Sequence, residues 1–192
     1  MSDNGFFALI NRMKHISRWS LMRNMEKETI EGHSYQTAII AHALCLIANK
    51  RGGEILDPEK ACLLALFHDV PEILTGDMPT PVKYSNSAIR EAYSDIESEA
   101  VRLLLNMLPE YLREGYSFME TAEHEPEWKY VKAADTLSAY IKCREECNMG
   151  NREFEKAGQS ILDKLNASPL AALRIFMDEF LPSYDKTLDE LK

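Results

Sequence analysis

The chain has 192 residues, 45% of them apolar and 28% charged, with a formal net charge of −9; that length suits one domain with a sizeable core and hardly two. The acidic balance excludes a broad contact with a nucleic-acid polymer, which needs a basic face, but leaves room for a small anion held by a metal and a few local cations. No segment approaches the ~20 consecutive apolar residues of a membrane helix, the early run "FFALI" is too short for a secretory signal, and Cys45, Cys62, Cys143 and Cys147 form no CxxC pair, so the expected setting is a reducing cytoplasm without membrane contact.

Helical patterns follow one another along the chain. Phe6, Leu9, Ile10, Met13 and Ile16 recur at helical spacing over 6–17. The Ala-rich run "HSYQTAIIAHALCLIANK" predicts a long helix over 33–50, with Ala38, Ile39 and Leu44 on its apolar face and "RGG" as its stop. Asp57 is a natural N-cap for a helix that opens on Pro58. Ala61, Leu63, Leu64, Ala65, Leu66, Phe67, Val70 and Leu74 make that helix apolar on nearly every side, which predicts a central, buried position. A loop is expected over 75–85, where Gly76, Pro79 and Pro81 cluster. An amphipathic helix follows over 87–108, and Pro109 ends it and opens a shorter one. Further helices are expected at 126–149, 152–166 and 169–181. No stretch alternates as a strand, so the fold class is all-α: one domain over 1–192, a bundle of about seven or eight helices.

Within this apolar framework a few polar residues stand out. In "LLALFHDVPEILTGDMPTP" the third helix carries His68, Asp69 and Glu72. If the helix continues, i, i+3 and i, i+4 spacings place all three on one strip near its end, where Pro71 bends or closes it. An unpaired charge there costs several kcal/mol, roughly, unless a partner satisfies it. His33 opens the preceding helix, and Asp135 sits among the small apolar residues of "VKAADTLSAYIK". Singly, each has a plain explanation: a solvated cap, a helix-to-helix hydrogen bond, a chance His-Asp pair. Together, two imidazoles and two carboxylates in the order H…HD…D suit a borderline divalent ion such as Mn, Co, Fe, Ni or Zn. The absence of thiolates argues against a structural zinc site. His42 reads as a core or interface residue, His15 and His124 as solvent-facing, and Lys83 as either a local cation or a surface lysine.

The order of these residues, with "RWSLMRN", "EGHS" and "HDVPEILTGDMPTPVKY", resembles the HD-domain phosphohydrolases, and among them most closely the bacterial 5′-deoxynucleotidases. The likeness runs over nearly the whole chain. It implies an HD-domain helical bundle and a hydrolase of deoxyribonucleoside 5′-monophosphates, working as a homodimer with one divalent metal ion. Co2+ or Mn2+ is the foremost expectation, with Zn2+, Ni2+, Fe2+ or Mg2+ as others. It assigns the metal to His33, His68, Asp69 and Asp135, and places Glu72 and Asp77 near the phosphate and the attacking water. It also implies Arg18 on the phosphate, Trp19 near the deoxyribose, and Asp77, Met78, Pro79 and Thr80 around the nucleotide, with Asp69 and Asp135 also touching substrate. Without the resemblance, Arg18 and Trp19 would read as an exposed helix end. Glu72 is the candidate acid–base residue, because burial raises a carboxyl's pKa. Two further readings keep the fold: a hydrolase of a triphosphate or alarmone nucleotide, which would need more cations, and a metal- and nucleotide-binding module without turnover.

Overall fold

The computed structural model describes residues 4–83 and 86–191, apart from the side chain of Thr80. Among the described residues there are α1 (Phe6–Ile10), α2 (Ile30–Gly52), α3 (Pro58–Phe67), α4 (Glu72–Thr75), α5 (Thr80–Lys83), α6 (Ser87–Asn106), α7 (Glu110–Arg113), α8 (Phe118–Thr121), α9 (Trp128–Asn148), α10 (Glu155–Asn166) and α11 (Ala171–Glu179), with no named strand. Every helix expected from the sequence has a counterpart. The first is shorter than expected, because the chain tightens into a 3-10 turn over Asn11–His15. The expected loop over 75–85 contains the single turn α5, and positions 84 and 85 lie outside the described residues.

Capping explains the sharpest boundaries. The Thr29 hydroxyl accepts the Gly32 N–H, which starts α2 three residues earlier than the Ala-rich run implied, and Gly53 closes it at φ 70°. The Asp57 carboxylate accepts the N–H groups of Glu59 and Lys60 ahead of α3, with Pro58 at its first position.

The main core forms where α2 meets α3, α9 and α11. Ile40, Ala41, Leu44 and Cys45 pack with Ala61, Leu64, Ala65, Val131, Ala134, Leu137, Ile141, Leu173 and Phe176. The buried centre is therefore α2 and α9 rather than α3. Leu63 and Leu66 of α3 are 40% and 38% exposed, and Ile39 of α2 is 54% exposed, because each helix turns only one face to its neighbours. A second cluster joins Phe6, Met13, Ile30 and Val70 to Val101, Leu104, Leu105 and Leu108. Ile30 and Val70 thus pin the start of α2 and the turn after α3 into one core, a few residues from His33 and Asp69.

The helix carrying the His-Asp pair ends sooner than expected. α3 stops at Phe67, and His68 caps it. The backbone tightens to i→i−3 bonds, His68 N–H to Ala65 O and Val70 N–H to Phe67 O, and Pro71 has no N–H to extend the ladder. Glu72 then begins the separate turn α4. The chain therefore passes from His68 to Glu72 through a tightened turn rather than a continuous α-helix, and Asp69 and Glu72, three residues apart in that turn, remain neighbours whose charges act on each other.

Residues 16–29 form a strap between the N-terminal segment and α2, closed by the Ser17–Thr29 bridge and by the Arg18 N–H to Glu28 O and Ile30 N–H to Ile16 O bonds. Its far end is held by α9. The buried Glu146 carboxylate accepts the N–H groups of Met25 (2.9 Å) and Glu26 (3.0 Å), the Asn151 amide (2.7 Å) and the Lys142 ammonium (2.5 Å). Lys142 also donates to the Glu26 carbonyl. Burial pushes this carboxyl up, but Lys142 and the other donors outweigh it and hold it down to about 2. The stability it contributes is therefore present above the ordinary value of 4.5 and is lost as the pH falls toward about 2. Removing one partner of a buried ion pair leaves the other uncompensated, so Glu146→Ala is expected to destabilise the fold by about 3–5 kcal/mol in urea unfolding at pH 7. The difference from wild type should shrink as the pH is lowered below 4.5.

Candidate active site

Two histidines enter the junction of α2, α3 and α9 with their ring nitrogens already sorted. His33, in the first turns of α2, is fully buried. Its Nδ1 lies 3.1 Å from the Ser138 hydroxyl, which itself donates to Gln36 Oε1. That chain makes Nδ1 the donor and leaves the lone pair on Nε2. His68 Nδ1 lies 2.7 Å from the Ala65 carbonyl and must donate to it, which leaves the lone pair of the neutral ring on Nε2. The latter atom is buried and makes no hydrogen bond.

Both Nε2 atoms face carboxylates, and that of His33 also has the Thr37 hydroxyl at 3.5 Å. His33 Nε2 is 3.1 Å from Asp135 Oδ1 and 3.6 Å from Asp69 Oδ2; His68 Nε2 is 3.2 Å from Asp69 Oδ1 and 3.9 Å from Asp135 Oδ1. Lone pairs opposed to anions at these distances repel, and the repulsion is relieved only by a proton or a metal ion. The pull toward positive charge is visible in the titration of the group. Burial opposes the imidazolium at His68, yet Asp69 and Asp135 raise its pKa. Burial likewise opposes the anions, yet the imidazoles and Arg18 lower the Asp69 pKa, and Lys132 and the imidazoles lower that of Asp135. His33, His68 and Asp135 bring their ligand atoms within 4.8 Å of one another, a group able to hold a metal ion. Asp69 flanks this group and is shared with Arg18. The donor set, two neutral imidazole nitrogens and carboxylate oxygens, fits a divalent ion, and Ser138 and the Ala65 carbonyl orient the rings as metal-ligating histidines require.

Arg18 and Trp19 come from the strap. Arg18 NH1 donates to Asp69 Oδ2 at 3.1 Å, and its Nε donates to Glu28 Oε2 at 3.0 Å. Burial opposes its charge, but Asp69, Glu28, Asp135 and Asp77 raise its pKa, so the guanidinium stays charged. The Trp19 indole N–H donates to the same Glu28 oxygen at 2.9 Å, and its ring stands 5.3 Å from that of Phe154. Trp19 has φ 57°, a left-handed backbone that a bulky residue adopts only when its surroundings enforce it.

Glu72 and Asp77 complete the constellation. Glu72 is buried, and its Oε2 has no hydrogen-bond partner. Burial first, then the charges of Asp69 and Asp77, push its carboxyl up to about 9 despite Arg18 and Lys83. Both effects favour the protonated acid, the form that can donate. Burial also raises Asp77, partly offset by Arg18 and by the Trp19 backbone N–H. Met78 and Pro79 continue the same half-buried loop, and the side chain of Thr80 lies outside the described residues. Lys83 pairs with Glu97 at 2.8 Å and lies over the Tyr93 ring, and Tyr93 meets Thr75 at 3.1 Å, which ties the loop to α6. Beside Asp69, a cleft of about 670 Å³ also reaches His68, with Phe67, Phe118, Trp128 and Lys132 on its walls; such a volume is typical of small-molecule sites.

Ser138 and Glu28, which hold His33, Arg18 and Trp19 in place, are not marked as site residues by the sequence. Ser138 is three residues beyond Asp135 on α9, a spacing that could have marked it. Glu28 carries no such signal, since its proximity to Arg18 and Trp19 exists only once the strap closes.

The whole chain compares well with known proteins. A family described as 5′-deoxynucleotidase YfbR-like matches residues 5–184. A 5′-deoxynucleotidase of Vibrio parahaemolyticus is 44% identical over 193 residues, covering 100% of both chains. In structure, an HD-domain phosphohydrolase from Listeria innocua superposes with a TM-score of 0.80 at 22% identity, covering 93% of this chain and 87% of that one. The cyanophage S-2L HD phosphohydrolase, solved with dA and one catalytic Zn2+ ion, gives a TM-score of 0.62 at 22% identity over 94% and 96% of the two chains.

A metal that binds only the folded chain stabilises it by mass action. Co2+ at 100 times its dissociation constant is expected to add about 2.7 kcal/mol to the unfolding free energy. His68→Ala should abolish that increment in a thermal-shift titration.

Proposed function

The chain belongs to the YfbR-like 5′-deoxynucleotidase family, and from that premise we propose that it hydrolyses deoxyribonucleoside 5′-monophosphates to deoxyribonucleosides and phosphate with one divalent metal ion. The observation that carries this reading is the 3.1 Å contact between Arg18 and Asp69. It sets a charged guanidinium against an electron-rich His-His-Asp group, as a phosphate monoester beside a metal requires.

His33, His68, Asp69 and Asp135 hold the ion, which when bound neutralises phosphate charge and supplies an activated water. Arg18, fixed by Glu28 and Asp69, presents its remaining N–H groups to the phosphate oxygens. Glu72 holds a proton on a buried carboxyl and delivers it to the 5′-oxygen as the phosphorus–oxygen bond breaks, so that the nucleoside leaves as a neutral alcohol. Asp77, with Met78, Pro79 and Thr80, orients substrate and water from the neighbouring loop. Trp19 bounds the sugar and leaves a 2′-hydroxyl crowded and unpaired. A monophosphate suits the charge balance better than a longer phosphate chain, because Lys83 and Lys132 are engaged by Glu97 and Asp135.

The mixed nitrogen and oxygen ligand set, without thiolate, suits a borderline divalent ion such as Mn, Co, Fe, Ni or Zn, and the family resemblance puts Co2+ or Mn2+ first among them. The four cysteines are free thiols, which supports a cytoplasmic setting. Tyr35, Ile39 and Leu46 expose 64%, 54% and 41% of their surface along one line of α2, an apolar stripe that supports pairing of two copies. No helix among the described residues is long and apolar enough to cross a membrane.

The test is phosphate release from dAMP and AMP by chelator-stripped protein, with Co2+, Mn2+, Zn2+ or Mg2+ restored in turn. Release from dAMP should depend on added metal and exceed release from AMP. Glu72→Gln should lower kcat by roughly 10²–10⁴-fold, the usual contribution of a general acid, while metal affinity stays unchanged. Metal-dependent release from di- or triphosphates alone would overturn the monophosphate assignment.

A further inference from the structure

We propose that Glu28 is the positioning residue that sets the phosphate and sugar ends of the substrate site in register. This deepens the preceding reading and rests on it, since it takes Arg18 as the phosphate ligand and Trp19 as the sugar wall. A single carboxylate oxygen of Glu28 accepts both the Arg18 Nε–H at 3.0 Å and the Trp19 indole N–H at 2.9 Å. The side chain is only 11% exposed, and that of Arg18 only 13%, so water cannot readily replace either bond. The main chain reinforces the side chain, because Arg18 N–H donates to the Glu28 carbonyl at 3.0 Å.

The consequence for Arg18 is geometric. A guanidinium carries five N–H groups in one plane. Glu28 occupies the Nε–H and Asp69 one N–H of NH1, which fixes the plane and leaves the rest of the fork for phosphate oxygens. The consequence for Trp19 is similar. Its backbone takes the left-handed conformation, so the intrinsic preference of the residue does not hold the indole, and Glu28 on its nitrogen with Phe154 against its ring does. Because one oxygen serves both, the distance between phosphate ligand and sugar wall is a property of Glu28. Discrimination against a ribose depends on that distance, since the 2′-hydroxyl is rejected only if the phosphate is anchored first.

Three variants of the metal-loaded protein separate this role from charge and from folding. Glu28→Gln keeps an oxygen at the same reach, Glu28→Asp keeps the charge but falls short of both N–H groups, and Glu28→Ala removes the group. Glu28→Asp and Glu28→Ala are each expected to raise KM for dAMP and to lower the dAMP-to-AMP ratio of kcat/KM, both by roughly tenfold, about one lost hydrogen bond. Glu28→Gln should hold that ratio within about threefold of wild type, and Co2+ affinity should be unchanged in all three. A ratio preserved in Glu28→Asp, or lost equally in Glu28→Gln, overturns the proposal. If wild type itself does not prefer dAMP, the deoxynucleotide reading has failed instead, and the comparison of variants is not needed to show it.

Discussion

Two imidazoles and two carboxylates, held largely out of water where α2, α3 and α9 meet, face one another with lone pairs opposed to negative charge. Such a group survives burial only with a positive partner, because unpaired charge in a low-dielectric interior costs far more than the surrounding contacts return. The neighbouring architecture answers that demand. Arg18 is brought across from the strap to Asp69, Lys132 pairs with Asp135 one turn away, and the two Nε2 atoms with the carboxylate oxygens between them form a donor set that suits a divalent ion.

The same demand separates the fates of four carboxylates. Asp69 and Asp135 lie against cationic groups and stay ionised, whereas Glu72, a few ångströms of backbone away, has anions for neighbours and no hydrogen-bond donor for its Oε2. Its surroundings favour the acid form. Asp77 lies between these extremes, raised by burial and restrained by Arg18 and the Trp19 N–H. One small volume therefore favours the anion on two carboxyls and the acid on a third, and the difference arises from which charges each carboxyl faces.

Much of this was legible in the sequence, though unevenly. Helices announce themselves through apolar spacing, Asp57-Pro58 and Gly53, all of which act locally. His33, the His68–Asp69 pair and Asp135 stand out because polar residues on apolar helices need a reason. The early end of α3 was not legible, since continuing apolar residues through Leu74 imitate a helix and only the competition among Pro71, the His68–Ala65 bond and the core contact of Val70 decides the turn. The exposure of Leu63, Leu66 and Ile39 was equally hidden, because composition reports how apolar a helix is and not how many neighbours it has. Glu28 and Glu146 act across the strap, at separations that no local pattern encodes.

Asp135, Ser138, Lys142 and Glu146 follow one another on α9 at spacings of three, four and four, a single polar line on a buried helix. The first reaches the metal group, the second orients His33, and the last two grip the strap that carries Arg18. This helix works as a ruler about 16 Å long, and both ends of the reaction centre are read off it. Surface loops can drift or lengthen without altering the scale. Inserting or deleting one residue between 135 and 146 would rotate one end by about 100° against the other, so this stretch is where the chain tolerates no change in length.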